Sequence, residues 1–285
     1  MRAWRERMAA GPNLASSGAG AAWEALRRCE LCELRCGVNR LGGETGICRL
    51  TERTHLFRLY VSYGEEVELS PALMVYLGGC NFRCGFCTQA PDCFRPADGP
   101  ELLSDEAVGR IEALAAGVRW INLLGGEPSL HPHTLAELRR RVHGPARWLL
   151  NTNGYFTRGA FELLDPLVDL HLVDFKFGND ACAQRLAGVP RYSEVLQRNL
   201  EWIYATGRDR LLVRHLLMPG HEACCLEPVA RWVSEHLPGV RFRLMAGYVP
   251  NYQCLSEPAM SRTVPADIVL RAEDFCRKLG LWMVE

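Results

Sequence analysis

Three features are missing from this sequence, and each absence excludes a class of protein. The charges balance, with 33 Lys+Arg and 33 Asp+Glu, so no overall field favours nucleic acid or a membrane surface. No window approaches the ~18 apolar residues that a membrane-spanning helix needs. Residues 1–28 lack the apolar segment of a secretory signal peptide. We therefore expect a cytoplasmic protein with neither nucleic acid nor a membrane as its partner.

Cysteine, in contrast, is abundant. The chain has 13 cysteines, an odd number, and seven of them fall into two compact clusters. A reducing compartment rarely keeps disulfides, and clustered thiols there are better explained by metal binding. Five others are expected to be buried core residues by default, and the adjacent pair among them could also line a site: Cys182, Cys224, Cys225, Cys254 and Cys276.

The more informative cluster is Cys80, Cys84 and Cys87, spaced C-x3-C-x2-C, with the aromatic Phe86 before the last cysteine. Three thiolates on one tight loop can hold three irons of a [4Fe–4S] cluster and leave the fourth iron open to a substrate or cofactor. A structural zinc site is the alternative, but it needs four ligands, and Cys93 would have to supply the fourth.

The other cluster comprises Cys29, Cys32, Cys36 and Cys48, four cysteines within twenty residues and interleaved with glycine. The glycines permit the tight turns that aim the sulfurs inward. Four thiolates satisfy either Zn²⁺ or a second [4Fe–4S] cluster, and the sequence leaves both open. A structural role is expected here rather than a catalytic one.

The chain divides into three predicted regions. Residues 1–28 form a flexible arm, rich in Ala, Gly and Ser up to residue 20, that ends in a short helix at Ala21–Arg28. Residues 29–70 form a Cys-rich metal-binding module, with a hairpin in residues 51–70. Residues 71–285 form the core domain.

Within the core domain, apolar segments alternate with helical segments, which is typical of an α/β protein with a parallel sheet. The predicted strands are Leu73–Leu77, Trp120–Leu124, Arg147–Leu150, Leu167–Val173, Leu211–Leu217 and Val240–Met245. The predicted helices are Ser104–Ala116, Thr134–Val142, Ala160–Leu164, Tyr192–Ala205, Leu226–His236 and Pro265–Leu279. Every strand ends in a polar or Gly-containing turn that can line one mouth. This favours a partial (β/α)6 TIM-like barrel over a doubly wound sheet.

Two of these strand ends carry groups suited to a polar ligand. In the turn Gly125-Gly126-Glu127-Pro128, the glycines let the backbone approach an ammonium group closely, and the carboxylate of Glu127 complements its charge. In the turn after the third strand, the amides of Asn151 and Asn153 can hydrogen-bond ribose or carboxylate oxygens. The same turn also suits a plain reversal with positive φ.

Charged groups mark the next two strands. Asp174 and Lys176 end the fourth strand, where a charged pair is not expected in a core. Arg214, in the fifth strand, can bind a carboxylate through two hydrogen bonds. His215 points to the opposite face of that strand, so both side chains cannot face the barrel interior.

The cysteine spacing and Phe86 are the signature of radical S-adenosylmethionine (SAM) enzymes, and the chain resembles that superfamily from this motif onward. The resemblance implies a six-strand partial barrel, a [4Fe–4S] cluster and SAM as cofactors. It also implies that the Gly125-Gly126-Glu127-Pro128 turn binds the amino group of SAM, and that Asp174 and Lys176 help to position SAM. A flavodoxin- or ferredoxin-type electron donor is implied as well.

Further stretches resemble the PflX-type branch, which is related to pyruvate formate-lyase activating enzymes. They include Cys-Gly-Val-Asn-Arg…Gly-Glu-Thr-Gly-Ile-Cys at 36–48, Asp-Phe-Lys-Phe-Gly-Asn-Asp at 174–180 and Arg-His-Leu-Leu-Met-Pro-Gly at 214–220. Two positions depart from these relatives. Glu33 follows Cys32 where they commonly have Pro, and Thr88-Gln89-Ala90-Pro91 follows Cys87 where they commonly have Gln-Asn.

The resemblance implies reductive cleavage of SAM to a 5′-deoxyadenosyl radical, which abstracts a hydrogen atom from the substrate. The departures in the loop 88–99 favour a small-molecule or peptide substrate. A glycyl radical enzyme as the partner, activated by this chain, is the alternative. A structural zinc protein or an electron-transfer iron–sulfur protein would explain the cysteines but not the polar turns at successive strand ends.

Overall fold

An eight-stranded sheet forms the centre of the structure, a computed structural model that describes residues 13–285. The strands are β1 (Leu56–Ser62), β2 (Ala72–Leu77), β3 (Trp120–Gly125), β4 (Arg147–Thr152), β5 (Leu170–Asp174), β6 (Leu211–Leu216), β7 (Arg241–Met245) and β8 (Trp282–Met283). β1 pairs antiparallel with β2, and every later pair is parallel. Because β1 and β8 remain as edges, the sheet does not close, and β2–β7 form the predicted partial barrel.

Helices connect the parallel strands, as parallel pairing requires. Helix α1 (Asn13–Glu24) precedes the sheet, and the connecting helices are α2 (Asp105–Ala115), α3 (Pro132–Arg141), α4 (Arg158–Leu164), α5 (Asp180–Ala187), α6 (Tyr192–Thr206), α7 (Glu227–His236) and α8 (Ala266–Lys278). In the part of the chain described, none of them combines the length and apolar character that a bilayer crossing requires.

Alternation along the strands separates two apolar layers. In β2, Leu73 and Val75 belong to a large apolar cluster that also contains buried residues of the helices. Met74 and Tyr76 belong to a smaller apolar cluster on the other face of the sheet. Leu172 of β5 shares that smaller cluster. β2 is therefore buried on both faces, which is typical of a strand inside a parallel α/β sheet.

The predicted strands and helices of the core domain are confirmed, with small shifts at their ends. The predicted hairpin within residues 51–70 is wrong, because β1 forms its antiparallel pair with β2 across Ser70 and Pro71. The predicted arm is corrected as well, since α1 begins at Asn13, and residues 1–12 lie outside the described part. The sequence analysis missed α5 and the two-residue β8.

The Cys-rich segment is fastened to the barrel by hydrogen bonds. The guanidinium of Arg40, which is fully buried, donates to the carbonyl oxygens of Leu130 (2.8 Å) and Thr51 (2.9 Å). The hydroxyl of Thr157 donates to Glu30 O at 2.8 Å. The cysteines of this segment are therefore held against the turns that follow β3 and β4.

We predict that Asn199→Ala destabilises the barrel by about 2–4 kcal/mol, because two buried carbonyl oxygens lose their donor. The side-chain amide of Asn199, in α6, donates to Gly154 O and Phe156 O, both at 2.7 Å. Urea unfolding of the metal-loaded protein measures the loss. Glu201→Ala, an exposed change on the same helix, is the control, and equal midpoints for the two variants would contradict this account.

Candidate functional site

The C-terminal ends of β2–β6 meet at one edge of the sheet, as parallel strands require. The loop after β2 carries Cys80, Cys84 and Cys87. Helix α5 braces this loop, because the backbone N–H of Arg83 donates to Ala187 O and that of Gly85 to Leu186 O, both at 2.9 Å. Helix α5 therefore supports the loop from one side.

The three thiols lie in a protected environment. Burial raises the pKa of Cys80 and, despite the nearby charge of Lys176, raises that of Cys84 to about 12. A hydrogen bond from the Cys93 thiol, with the sulfurs 3.7 Å apart, lowers the pKa of Cys87 to about 6. Cys80 and Cys84 therefore ionise readily only when a cation binds them, whereas Cys87 ionises more easily, and such a donor set suits a metal group.

The four sulfurs of this loop do not converge as one set, although those of Cys87 and Cys93 are 3.7 Å apart. A closed zinc site draws its four ligands into contact around one ion. Among the described residues, Cys80, Cys84, Cys87 and Cys93 do not form a group whose ligand atoms lie within 4.8 Å of one another. A [4Fe–4S] cluster binds each cysteine through a different iron and so requires wider spacing. The residues present fit such a cluster.

Phe86 is buried beside this loop, with its ring edge-on to Phe177 at 6.1 Å between centroids. It is a packing partner of the cysteines and carries no polar atom toward them.

The Gly125–Glu127 turn after β3 lies directly against the cysteine loop. Gly126 N–H donates to Leu77 O at 2.7 Å, and Glu127 N–H donates to Gly79 O at 2.8 Å. A Cβ on Gly126 would lie 1.9 Å from Gly79 O, so the position accepts only glycine. Gly125 has φ +122°, which also favours glycine.

The carboxylate of Glu127 faces the protein rather than a ligand. It accepts hydrogen bonds from the Thr152 hydroxyl (2.6 Å) and from the backbone N–H groups of Asn153 (2.8 Å) and Ser129 (3.0 Å). Burial raises the pKa of Glu127, and these hydrogen bonds oppose the rise. Its role in this geometry is to tie the turn after β3 to the turn after β4.

The two asparagines of the turn after β4 have different partners. The side-chain amide of Asn153 donates to Asn81 Oδ1 at 2.8 Å, beside Cys80. Asn151 Oδ1 accepts a hydrogen bond from the Arg214 guanidinium at 2.8 Å. Asn153 therefore holds the cysteine loop, whereas Asn151 belongs to the charged group on the next strands.

Asp174 is the centre of that charged group. Its carboxylate oxygens lie 2.8 Å from Arg214 Nε and 2.5 Å from Lys176 Nζ. Burial alone would raise the pKa of Asp174, but the two cations outweigh it and lower the pKa to about 2. Arg214 also lies 3.6 Å from Glu66 Oε1. Both cations are thus oriented at the strand ends.

His215 lies apart from this group, as expected from strand alternation. It is buried, and its Nδ1 is 2.7 Å from Phe175 O. Burial lowers its pKa to about 4, so it is neutral at physiological pH.

The N-terminal cysteines lie close to the cysteine loop after β2. Cys29, Cys32 and Cys48 are buried, and Cys36 is exposed. Cys32 forms an isolated β-bridge with Phe156, and the side-chain amide of Asn81, next to Cys80, donates to the neighbouring Tyr155 O at 3.5 Å. Within the described residues, this quartet too lacks the 4.8 Å convergence of ligand atoms that marks a single-ion site.

Three residues of the site were missed in the sequence. Asn81 and Thr152 lie within the sequence motifs described above. They would have been included if every polar residue of each turn had been considered. Glu66, in the segment predicted to form a hairpin, has no signal in the sequence, because only the fold brings it to Arg214.

Comparisons with known proteins agree with this geometry. A family model described as the Radical SAM superfamily matches residues 74–233. The uncharacterized protein MJ0674 of Methanocaldococcus jannaschii is 30% identical over 96% of this chain and 81% of its own length. The indoleacetate decarboxylase activating enzyme of Tractidigestivibacter scatoligenes is 26% identical over 48% of this chain and 46% of its own length.

A solved structure shows the same fold. The radical SAM methyltransferase from Sphaerobacter thermophilus superimposes with a TM-score of 0.51 and 17% identity, over 88% of this chain and 80% of that chain.

We predict that Gly126→Ala destabilises the protein by about 1–3 kcal/mol or more and weakens SAM binding, because the new methyl group forces the turn and the cysteine loop apart. Urea unfolding and equilibrium dialysis with labelled SAM measure the two effects. Gly85→Ala is the matched control, since its Cβ would meet nothing closer than 3.5 Å. Similar results for both variants would contradict the proposed packing.

A pH dependence follows from Asp174. Its pKa in the folded protein is lowered to about 2, so its ionised form stabilises the fold above its ordinary pKa of about 4, by about 2 kcal/mol. This contribution is lost as the pH falls from about 4 to about 2.

The difference in free energy of unfolding between the wild type and Asp174→Asn should therefore become smaller as the pH falls from about 4 to about 2. Urea unfolding of both proteins at matched pH values measures the gap, with the exposed change Asp209→Asn as the control. A gap that does not vary with pH would contradict the assignment.

Proposed function

This chain belongs to the radical SAM superfamily, and we propose that Cys80, Cys84 and Cys87 bind its [4Fe–4S] cluster and that the neighbouring strand ends bind SAM. The observation that carries the proposal is the convergence of the three thiols, the glycine turn and the Asp174 group at one edge of the sheet. When bound, the reduced cluster supplies the electron that cleaves SAM to a 5′-deoxyadenosyl radical.

The protein residues complement the amino acid part of SAM. Seven of them keep part of their surface exposed at this edge: Cys80, Cys87, Gly125, Gly126, Asn151, Asp174 and Lys176. We assign the backbone of Gly125 and Gly126 to the ammonium group, because no side chain prevents close approach there. We assign Arg214 and Lys176 to the carboxylate, since Asp174 and Asn151 orient the two cations.

Asn153 and Glu127 position the cysteine loop rather than bind SAM. Glu127 fixes the position of Asn153, and Asn153 fixes Asn81 beside Cys80. This chain of hydrogen bonds keeps the three cysteines aligned with the strand ends. Phe86 contributes the apolar wall that keeps water from the cysteine loop.

We propose three regions: an N-terminal region at 1–28 that includes α1, a metal-binding module at 29–70 and the radical SAM core at 71–285. In the module, Cys29, Cys32, Cys36 and Cys48 are the ligands of a zinc ion or an auxiliary [4Fe–4S] cluster. Four thiolates satisfy either centre, so both assignments stay open. The β-bridge between Cys32 and Phe156 and the hydrogen bond from Asn81 to Tyr155 O support a position of this second centre beside the first.

For the substrate, we propose a small molecule or a peptide, with a flavodoxin- or ferredoxin-type protein as the electron donor and the cytoplasm as the compartment. The activating enzyme among the relatives supports the second candidate, a glycyl radical enzyme as partner. Size-fractionated cell extract distinguishes them. A filtrate that stimulates 5′-deoxyadenosine formation supports the small substrate, whereas a macromolecular fraction that acquires a persistent organic radical supports activation.

We predict that Cys84→Ala abolishes formation of 5′-deoxyadenosine and lowers the iron content, because one iron loses its ligand. The assay is anaerobic reconstitution with iron and sulfide, followed by dithionite and SAM. Cys93→Ala is the matched control, since Cys93 lies beside Cys87 but outside the motif. A Cys84 variant that cleaves SAM at the wild-type rate, or a Cys93 variant that loses iron equally, would refute the ligand assignment.

A further inference from the structure

A second group of metal-binding side chains lies outside the proposed SAM site. Cys182 is in the first turn of α5, and His221, Cys224 and Cys225 follow β6. Their ligand atoms all lie within 4.8 Å of one another. The sulfur of Cys224 is 3.8 Å from that of Cys182 and 3.9 Å from that of Cys225. His221 Nδ1 is 3.7 Å, 3.3 Å and 3.4 Å from the sulfurs of Cys182, Cys224 and Cys225.

These distances match the edges of a zinc tetrahedron. With Zn–S bonds of about 2.3 Å and Zn–N bonds of about 2.05 Å, tetrahedral geometry gives S···S edges of about 3.8 Å and S···N edges of about 3.6 Å. We propose that Cys182, Cys224, Cys225 and Nδ1 of His221 bind one Zn²⁺ ion. Four protein ligands close the coordination sphere, so the site is structural rather than catalytic.

The local sequence explains how the ligands converge. Cys224 and Cys225 lie in a single π-helical turn, Glu222–Leu226, and His221 is the N-cap residue of that turn, so three ligands stand close together in the chain. Gly178 lets this turn approach α5, because a Cβ there would lie 2.6 Å from Cys225 O. The side-chain amide of Asn179 donates to Cys224 O at 2.7 Å and to the Cys182 sulfur at 3.4 Å, so it joins the two segments.

One contact must change when the ion binds. The guanidinium of Arg185 lies 3.1 Å from His221 Nε2, and it can only donate there. A histidine bound to zinc through Nδ1 carries its proton on Nε2, so this hydrogen bond is lost. Arg185 is exposed, and its side chain is free to turn toward solvent.

The position of the group suggests what the ion stabilises. Cys182 is at the start of α5, and the end of the same helix supplies the two carbonyl oxygens, Leu186 O and Ala187 O, that brace the catalytic cysteine loop. An ion that joins α5 to the loop after β6 would therefore fix the support of the catalytic loop. The sequence analysis expected these cysteines to be core residues, because His221 was not considered with them.

Metal analysis of the full-length protein, purified with its metals intact, tests the site. We expect Cys182→Ser and His221→Gln each to lose about one zinc equivalent relative to the wild type. Cys276→Ala, a buried cysteine outside the group, should keep the wild-type zinc content. The zinc count does not depend on SAM cleavage, so it can fail or succeed separately from the proposed function.

Two results would overturn the site. One is an unchanged zinc content in both variants, and the other is a Cys182–Cys224 disulfide in protein purified anaerobically. If the variants do not fold, ¹¹³Cd NMR of the metal-exchanged wild type decides the matter. A resonance from three sulfurs and one nitrogen supports the site, whereas four-sulfur resonances alone contradict it.

Discussion

The close backbone contact between Gly126 and Gly79 is the constraint on which the candidate site depends. It places the turn after β3 against the cysteine loop after β2, with room for no side chain between them. The carboxylate of Glu127 accepts a hydrogen bond from Asn153 in the turn after β4. The side-chain amide of Asn153 in turn donates to Asn81, beside Cys80. Three separate chain segments therefore form one connected surface, to which we assign the cluster and SAM.

Charged side chains at the next two strand ends also belong to this surface. Asp174 orients Lys176 and Arg214 at the next two strand ends, and its ionised form is held by both cations. The cost of burying these charges is offset because each has a partner within hydrogen-bonding distance. In the proposed site, the glycine turn offers carbonyl oxygens to the ammonium group of SAM and the Asp174 group offers cations to its carboxylate.

Much of this arrangement is predictable from the sequence, because its signals are local. The strands of the core domain are continuous apolar runs, and the motif residues occupy their ends, so strand order alone brings them together. Glu66 was not predictable in this way, since tertiary contacts decide its place. Helix α5 does carry local signals, the N-cap Asn179 and the Gly188 that ends it, which the sequence analysis did not use. The partnership of Cys182 with His221 joins residues 39 apart, and nothing local to Cys182 indicates it.

The central claim is that Cys80, Cys84 and Cys87 leave one iron of the cluster open to SAM. Electron paramagnetic resonance of the reduced, reconstituted protein with and without SAM tests it most directly. This account predicts that SAM changes the spectrum of the cluster and that the change is absent when the three cysteines are replaced by alanine. A spectrum of the intact protein that SAM leaves unchanged would contradict it.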